Sequence, residues 1–339
     1  MSFFIPYASL KRLLKYTCVC VIVFIFIALV TESISYNRNP DYGVSFSSQY
    51  AQYLGLDVNE TFDAIVEEMP IENIRIPIYW DQIEAKPGEF DFSQIDYLMD
   101  KAAENNIKVT LAIGLKVPRW PECFIPDWSD QTDNIAFKQS LFQMIDVVVK
   151  RYRDHLALEK WQVENEPFFP FGECPAPEPS WFYQEVDFVR MLDPIHQIQS
   201  TASGEQSLWF LRARGIDTLG VSLYREVWNK TIGVFIFPHP PIIYTLQRML
   251  VEPFVDLVII SELQMEPWIP EDIARTDSSI EDFYKMFPAE DMQQGFDFAN
   301  LIGVDEIDLW GVEWWYYMKE HGEDRLWNKA IELLSSQDN

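Results

Sequence analysis

Two short stretches of this 339-residue chain end in groups able to move a proton or attack carbon. WQVENEP (161–167) begins with strand-like alternation and ends in Glu164, Asn165, Glu166 and Pro167. VIISELQMEPW (258–268) carries Glu262 and, four residues later, Glu266. Carboxyl groups work in pairs when one stays protonated as a donor while the other stays ionised as a nucleophile; burial and neighbouring charge separate their pKa values. Glu166 and Glu262 are distant in the chain, so only a fold can unite them. A solvated loop carboxylate is the plain alternative for each, and Glu266 is a rival to Glu262 in a slightly different register.

The elements that must position them are short apolar runs alternating with helix-like segments. Strands are predicted at 41–46, 73–79, 108–114, 160–165, 196–202, 217–223, 256–262 and 307–314, most of them rich in Val, Ile and aromatic residues. Amphipathic helices are predicted at 92–106, where Ile95, Leu98, Met99 and Ala102 keep helical spacing, and at 137–156. Eight strands alternating with helices predict an α/β fold, a single (β/α)8 barrel over residues 36–339. A doubly wound sheet is the rival, but no GxGxxG or GxxxxGK[ST] turn is present. In a barrel all parallel strands end at one face, which puts Glu166 and Glu262 on the same rim. The longest connections, PRWPECFIPDW (118–128) and FFPFGECPAPEPSW (168–181), also follow strands.

The formal charge of −27 argues against a nucleic-acid partner, which needs a basic face. No HExxH cluster and no GxSxG elbow occurs, so neither metal-dependent nor serine-type hydrolysis is expected, and no cofactor is required. Residues 1–35 differ from the rest: Lys11, Arg12 and Lys15 precede an apolar run from Cys18 to Val30. That pattern predicts a membrane anchor, or a cleaved export signal, with the following domain outside the cytoplasm. Cys123 and Cys174 fall in the exported part, in loops after neighbouring strands, and are candidates for a disulfide. The apolar segment 233–254 is expected to pack on the barrel as a loop plus helix, the alternative being that it dips into a membrane. No protein partner is predicted.

Two carboxyl groups flanking a sugar bond are the minimum for glycoside hydrolysis. Here the residues carry a resemblance: Asn-Glu-Pro closing a fourth strand, with a second Glu closing a seventh, resembles the retaining glycoside hydrolases of clan A. That clan includes cellulase-, xylosidase- and β-galactosidase-type barrels. The segment IRIPIYWDQIEAKPGEFDFSQIDYLMDKAAENNIKVTLAIG is similar to the second and third strands of the same clan. The resemblance implies a β-linked oligo- or polysaccharide substrate, Glu166 as acid/base and Glu262 as nucleophile. It further implies Asn165 on the sugar hydroxyl beside the reacting carbon, Arg75 and Tyr224 against the nucleophile, and Trp314 as the floor under the sugar. Trp315 and Trp310 are alternatives for that floor, and Ser222 stands where some families have His. Arg75 pairing elsewhere in the barrel and Tyr224 as ordinary packing are the plain alternatives. Glu164 and Glu313 are read as structural. Trp80, Trp120, Trp128, Trp181, Trp228 and Trp268 fall at or beyond strand ends, where flat rings can stack on sugars or simply pack. A sugar-binding barrel without activity and a transglycosylase are the rival functions.

Overall fold

The computed structural model describes residues 15–19, 22–23, 26, 39–175, 179–229, 231, 233–269 and 279–335. Most of the apolar run from Cys18 to Val30 lies outside the described residues, and among those described no helix is long and apolar enough to cross a membrane.

Eight parallel strands close into a barrel. In chain order the strands are β1 (Asp41–Ser45), β2 (Asn73–Pro77), β3 (Lys108–Ile113), β4 (Leu158–Val163), β5 (Gln197–Ser203) and β6 (Thr218–Leu223), then β7 (Glu226–Asn229), β8 (Gly233–Ile236), β9 (Leu257–Gln264) and β10 (Glu306–Trp310). The closed order is β1-β10-β9-β6-β5-β4-β3-β2, and β7 with β8 forms a separate antiparallel ribbon inserted after β6. The predicted helices are present at Ser93–Glu104 and Asn134–Tyr152, the first burying Ile95, Leu98, Met99 and Ala102 against the barrel. Ion pairs occupy part of the bore: Lys160 on β4 donates to Glu306 on β10 at 2.6 Å, and both are buried.

Two of the expected elements need correction. The eighth strand stops at Trp310 rather than 314, because Gly311 turns the chain at φ 124° and a helix runs from Val312 to Glu320. Glycine alone takes that φ without strain. Segment 233–254 does pack in part, as the helix Pro241–Val251, but its first residues form the ribbon strand β8.

Strand register is broken beside the site. Between β6 and β9, Val221 faces Ile260 while Ser222 faces Glu262, which leaves Ser261 as an extra residue. A bulge of this kind bends the strand and re-aims the side chain that follows. Glu262 is the side chain re-aimed here.

Candidate active site

Glu166 leaves the tip of β4 on a tightly held turn. Glu164 and Glu166 have φ of 60° and 44°, a left-handed backbone that costs an L-residue about 1–2 kcal/mol each. Three hydrogen bonds sustain it: Glu164 N–H donates to Ile113 O at 2.9 Å, Asn165 N–H to Lys116 O at 2.6 Å and Glu166 N–H to Thr201 Oγ1 at 2.7 Å. The Glu164 carboxylate closes the turn by accepting the backbone N–H groups of Leu115 and Lys116. Glu164 is therefore a structural brace, as the sequence suggests. Thr201 Oγ1 and Gln162 Nε2 both donate to Asn165 Oδ1, at 2.9 and 3.2 Å. With its oxygen held this way, Asn165 keeps its amide N–H groups for a ligand.

Glu262 sits on β9, on the same rim, under different electrostatics. Arg75 Nη2 donates to Glu262 Oε1 at 2.8 Å, and the arginine is fully buried. The guanidinium is locked by donating Nε to Ser45 Oγ at 2.9 Å and Nη1 to Gln162 Oε1 at 3.2 Å. Charge-assisted bonds of this kind are among the stronger hydrogen bonds. Ser222, opposite Glu262 in the sheet, donates its Oγ to Glu166 Oε1 at 2.6 Å, so one serine spans the two acids. Burial, and after it the charge of Glu262, push Glu166 up to about 7. One carboxyl group is thus biased to hold its proton at neutral pH while a cation faces the other. Tyr224 lies alongside; burial first, then Glu262 and Glu266, hold its phenol well above the usual value.

A second cation organises the rim. Arg119, in the loop after β3, is sandwiched between the rings of Tyr50 and Trp310, 3.8 and 4.0 Å from their centroids. It donates to Glu266, and to Glu313 Oε2 at 2.8 Å, while Trp310 Nε1 donates to Glu266 Oε1 at 2.9 Å. Glu266 is therefore engaged by Arg119 and Trp310, whereas Arg75 engages Glu262 through Oε1. Glu313 is structural, as expected: it also accepts the Ser47 N–H.

Trp314 does not stand at a strand end. Trp314 sits in the helix after β10, 1% exposed, edge-on to Phe283 and stacked on Tyr317. Trp310 ends β10 instead, within 5.6 Å of Arg75 and 6.3 Å of Tyr224. Trp80 is also core rather than cleft: it is 1% exposed, donates Nε1 to Glu84 and packs on Trp128 and Phe137. Trp120 and Trp268 remain accessible, at 56% and 37% exposed. Phe171 bridges them at 5.7 and 6.2 Å, and Trp268 meets Tyr224 at 5.9 Å, forming an aromatic arc around the opening. Phe171, Arg119 and Thr201 escaped the sequence reading; Arg119 had a signal in its place between Pro118 and Trp120 of a long loop after a strand.

Cys123 and Cys174 are joined, pinning the loops after β3 and β4 together. Beside them Lys116 faces Glu122 at 3.1 Å, and burial pushes Glu122 up to about 8. A cavity of about 550 Å³ lies behind the loop after β4, lined by Glu164, Glu185, Phe171 and Trp181 but by neither Glu166 nor Glu262. Among the described residues no group of three His, Cys, Asp or Glu is placed to hold a metal ion.

Comparison with known proteins finds barrels of the same kind. Residues 38–188 match the profile of glycosyl hydrolase family 10, a stretch a little under half the chain that includes Glu166 and stops short of Glu262. A β-galactosidase from an Arthrobacter species is 25% identical over 197 residues, 52% of this chain and 25% of its own length. Mannan endo-1,4-beta-mannosidase 7 of Oryza sativa subsp. japonica is 20% identical over 191 residues, 43% of this chain and 50% of its own. The chain thus spans half or less of these relatives. In fold it is similar to a GH5_18 protein from Streptomyces cattleya solved with GlcNAc, with TM-score 0.60 and 14% identity over 89% of this chain and 81% of that one. It is similar also to a psychrophilic family 10 endo-β-1,4-xylanase, with TM-score 0.52 and 19% identity over 81% and 87%. By these matches the chain is similar to glycosidases of clan A type, with the family within the clan unresolved.

Proposed function

We propose that the chain hydrolyses β-glycosidic bonds of an oligo- or polysaccharide with retention of configuration. Glu262 attacks the anomeric carbon while Glu166 protonates the departing oxygen; Glu166 then deprotonates the water that releases the sugar. The observation that carries this reading is the asymmetry of the two acids. Glu262 faces the locked guanidinium of Arg75, whereas Glu166 faces a serine and is pushed up to about 7. Trp310 forms the apolar floor, Asn165 presents its amide to a sugar hydroxyl, and Tyr224 lies beside the nucleophile.

We further place the barrel outside the cytoplasm, held by an N-terminal anchor or secreted after its removal. The support is the basic flank and apolar run of residues 11–30 and the Cys123–Cys174 disulfide, a bond favoured outside the reducing cytosol.

The test is a panel of aryl β-glycosides with wild type and Glu262→Gln side by side, and the anomer of the first-formed product read by NMR. The expected result is cleavage of at least one sugar, a retained β-anomer, and near-complete loss in the variant. An inverted anomer would remove the nucleophile assignment. Equal glycan binding by both proteins without cleavage would make the barrel a sugar-binding protein.

A further inference from the structure

The ribbon β7–β8 and the helix after it turn apolar side chains outward. Val234 and Ile236 are 61% and 57% exposed, and Phe235, on the opposite face of the same strand, is 39% exposed. A lone two-stranded ribbon has no core of its own, and among the described residues both faces of β8 stay exposed while Val227 and Trp228 of β7 are part-covered. The adjoining helix Pro241–Val251 buries Tyr244 and Val251 against the barrel but exposes Ile243 and Leu250, and Phe254 just beyond is 68% exposed. Ring contacts Phe235–Phe237, Phe237–His239 and His239–Tyr244, of 5.0 to 6.1 Å, tie ribbon to helix.

Charge marks the same region. The chain holds 53 Asp and Glu residues, yet two stretches longer than twenty residues contain neither: 1–31 and 227–251. The first is the cation-flanked apolar run already read as membrane-directed. The second is this ribbon and helix. Elsewhere dense negative charge repels an anionic surface; this stretch adds none of its own between Glu226 and Glu252 and carries apolar area instead.

The base of the ribbon is fastened to the active-site rim. Glu226 N–H donates to Gln264 Oε1 at 3.1 Å, and Gln264 Nε2 returns a bond to Glu226 O at 2.8 Å, two residues beyond Glu262. Tyr224 stands two residues before the ribbon.

We propose that the ribbon–helix face docks on the surface of a phospholipid bilayer, so that the mouth of the site meets glycans carried on lipids in that bilayer. The substrate part of this inference rests on the glycosidase reading; the docking part does not.

The experiment uses the full chain on phosphatidylcholine vesicles, comparing wild type with the triple variant Val234→Ser, Phe235→Ser, Ile236→Ser. Turnover is measured on an aryl β-glycoside in solution and on the same sugar attached to an alkyl chain embedded in the vesicles. Deuterium uptake of residues 226–254 is followed with and without vesicles. The expected result is slowed uptake in the wild type on vesicles. In the variant, turnover of the embedded glycoside falls at least about 10-fold while turnover of the soluble one is unchanged. Unaltered uptake, or the same ratio of the two turnovers in both proteins, would overturn the proposal. So would uptake slowed by protein concentration alone, with a dimer in light scattering that the variant abolishes, since the cover would then be a second copy. Absence of turnover on every soluble glycoside would reject the glycosidase reading, and deuterium uptake would still decide docking.

Discussion

Single side chains divide the chemistry between the two acids of the site. Arg75 faces Glu262, and burial with the charge of Glu262 raises Glu166, so the donor depends on the carboxyl group opposite it. Glu166→Gln is expected to lower cleavage of alkyl glycosides by about 10²–10⁴-fold, the usual worth of a positioned acid. It should barely slow the first step with dinitrophenyl glycosides, whose leaving group needs no proton; a burst of released phenol measures this. For pH, the sign follows from the donor being useful only when protonated. With Glu166 at about 7, kcat/KM is expected to hold below pH 7 and to fall as pH rises through it. A profile flat to pH 9 on alkyl glycosides would reject Glu166 as the donor. Glu166 was legible in the sequence because Asn165 and Pro167 frame it at a strand end. The choice between Glu262 and Glu266 was harder, since the extra residue Ser261 breaks the two-residue alternation on which register arguments depend.

At the scale of elements, the barrel was legible because its strands are buried, β-rich runs separated by helical spacing. The error at Trp314 has a physical cause. The apolar run continues from Ile307 past Gly311 into a buried helix, and apolar runs buried on all sides do not reveal their period. Only the glycine marks the turn. The ribbon β7–β8 was missed for a related reason: its connection, Lys230-Thr231-Ile232, contains none of the Asn-Gly or Asp-Gly pairs that announce a hairpin. Arg119 binds several elements at once, the helix carrying Tyr50, the end of β10 and the start of the helix after it. Arg119→Met is expected to cost about 3–5 kcal/mol in a denaturant melt, because it strands Glu266 and Glu313 as buried charges. Part of that deficit should return at acid pH, where Glu313, already raised chiefly by burial, takes up a proton. A loss under 1 kcal/mol would mean that the two acids find water when Arg119 is gone.

For the whole molecule, the disulfide closes a loop of 51 residues between the connections after β3 and β4. Replacing both cysteines by serine is expected to lower stability by about 2–4 kcal/mol, read from thermal melts with and without reductant. Equal melting of wild type and variant under oxidising conditions would show the cross-link unformed. The sequence placed both cysteines in adjoining loops, which was enough to suggest the pair, whereas the burial of Trp80 depended on distant partners that no local pattern records. The arrangement also separates two kinds of inheritance. Arg75, Ser45, Gln162, Thr201 and Ser222, which hydrogen-bond the two acids or the groups that hold them, stand on strands hydrogen-bonded to both neighbours. Trp120, Phe171 and Trp268, which ring the opening, stand on connections between them. A lineage with this layout can exchange its rings, and with them the sugar it prefers, without relearning how to break the bond.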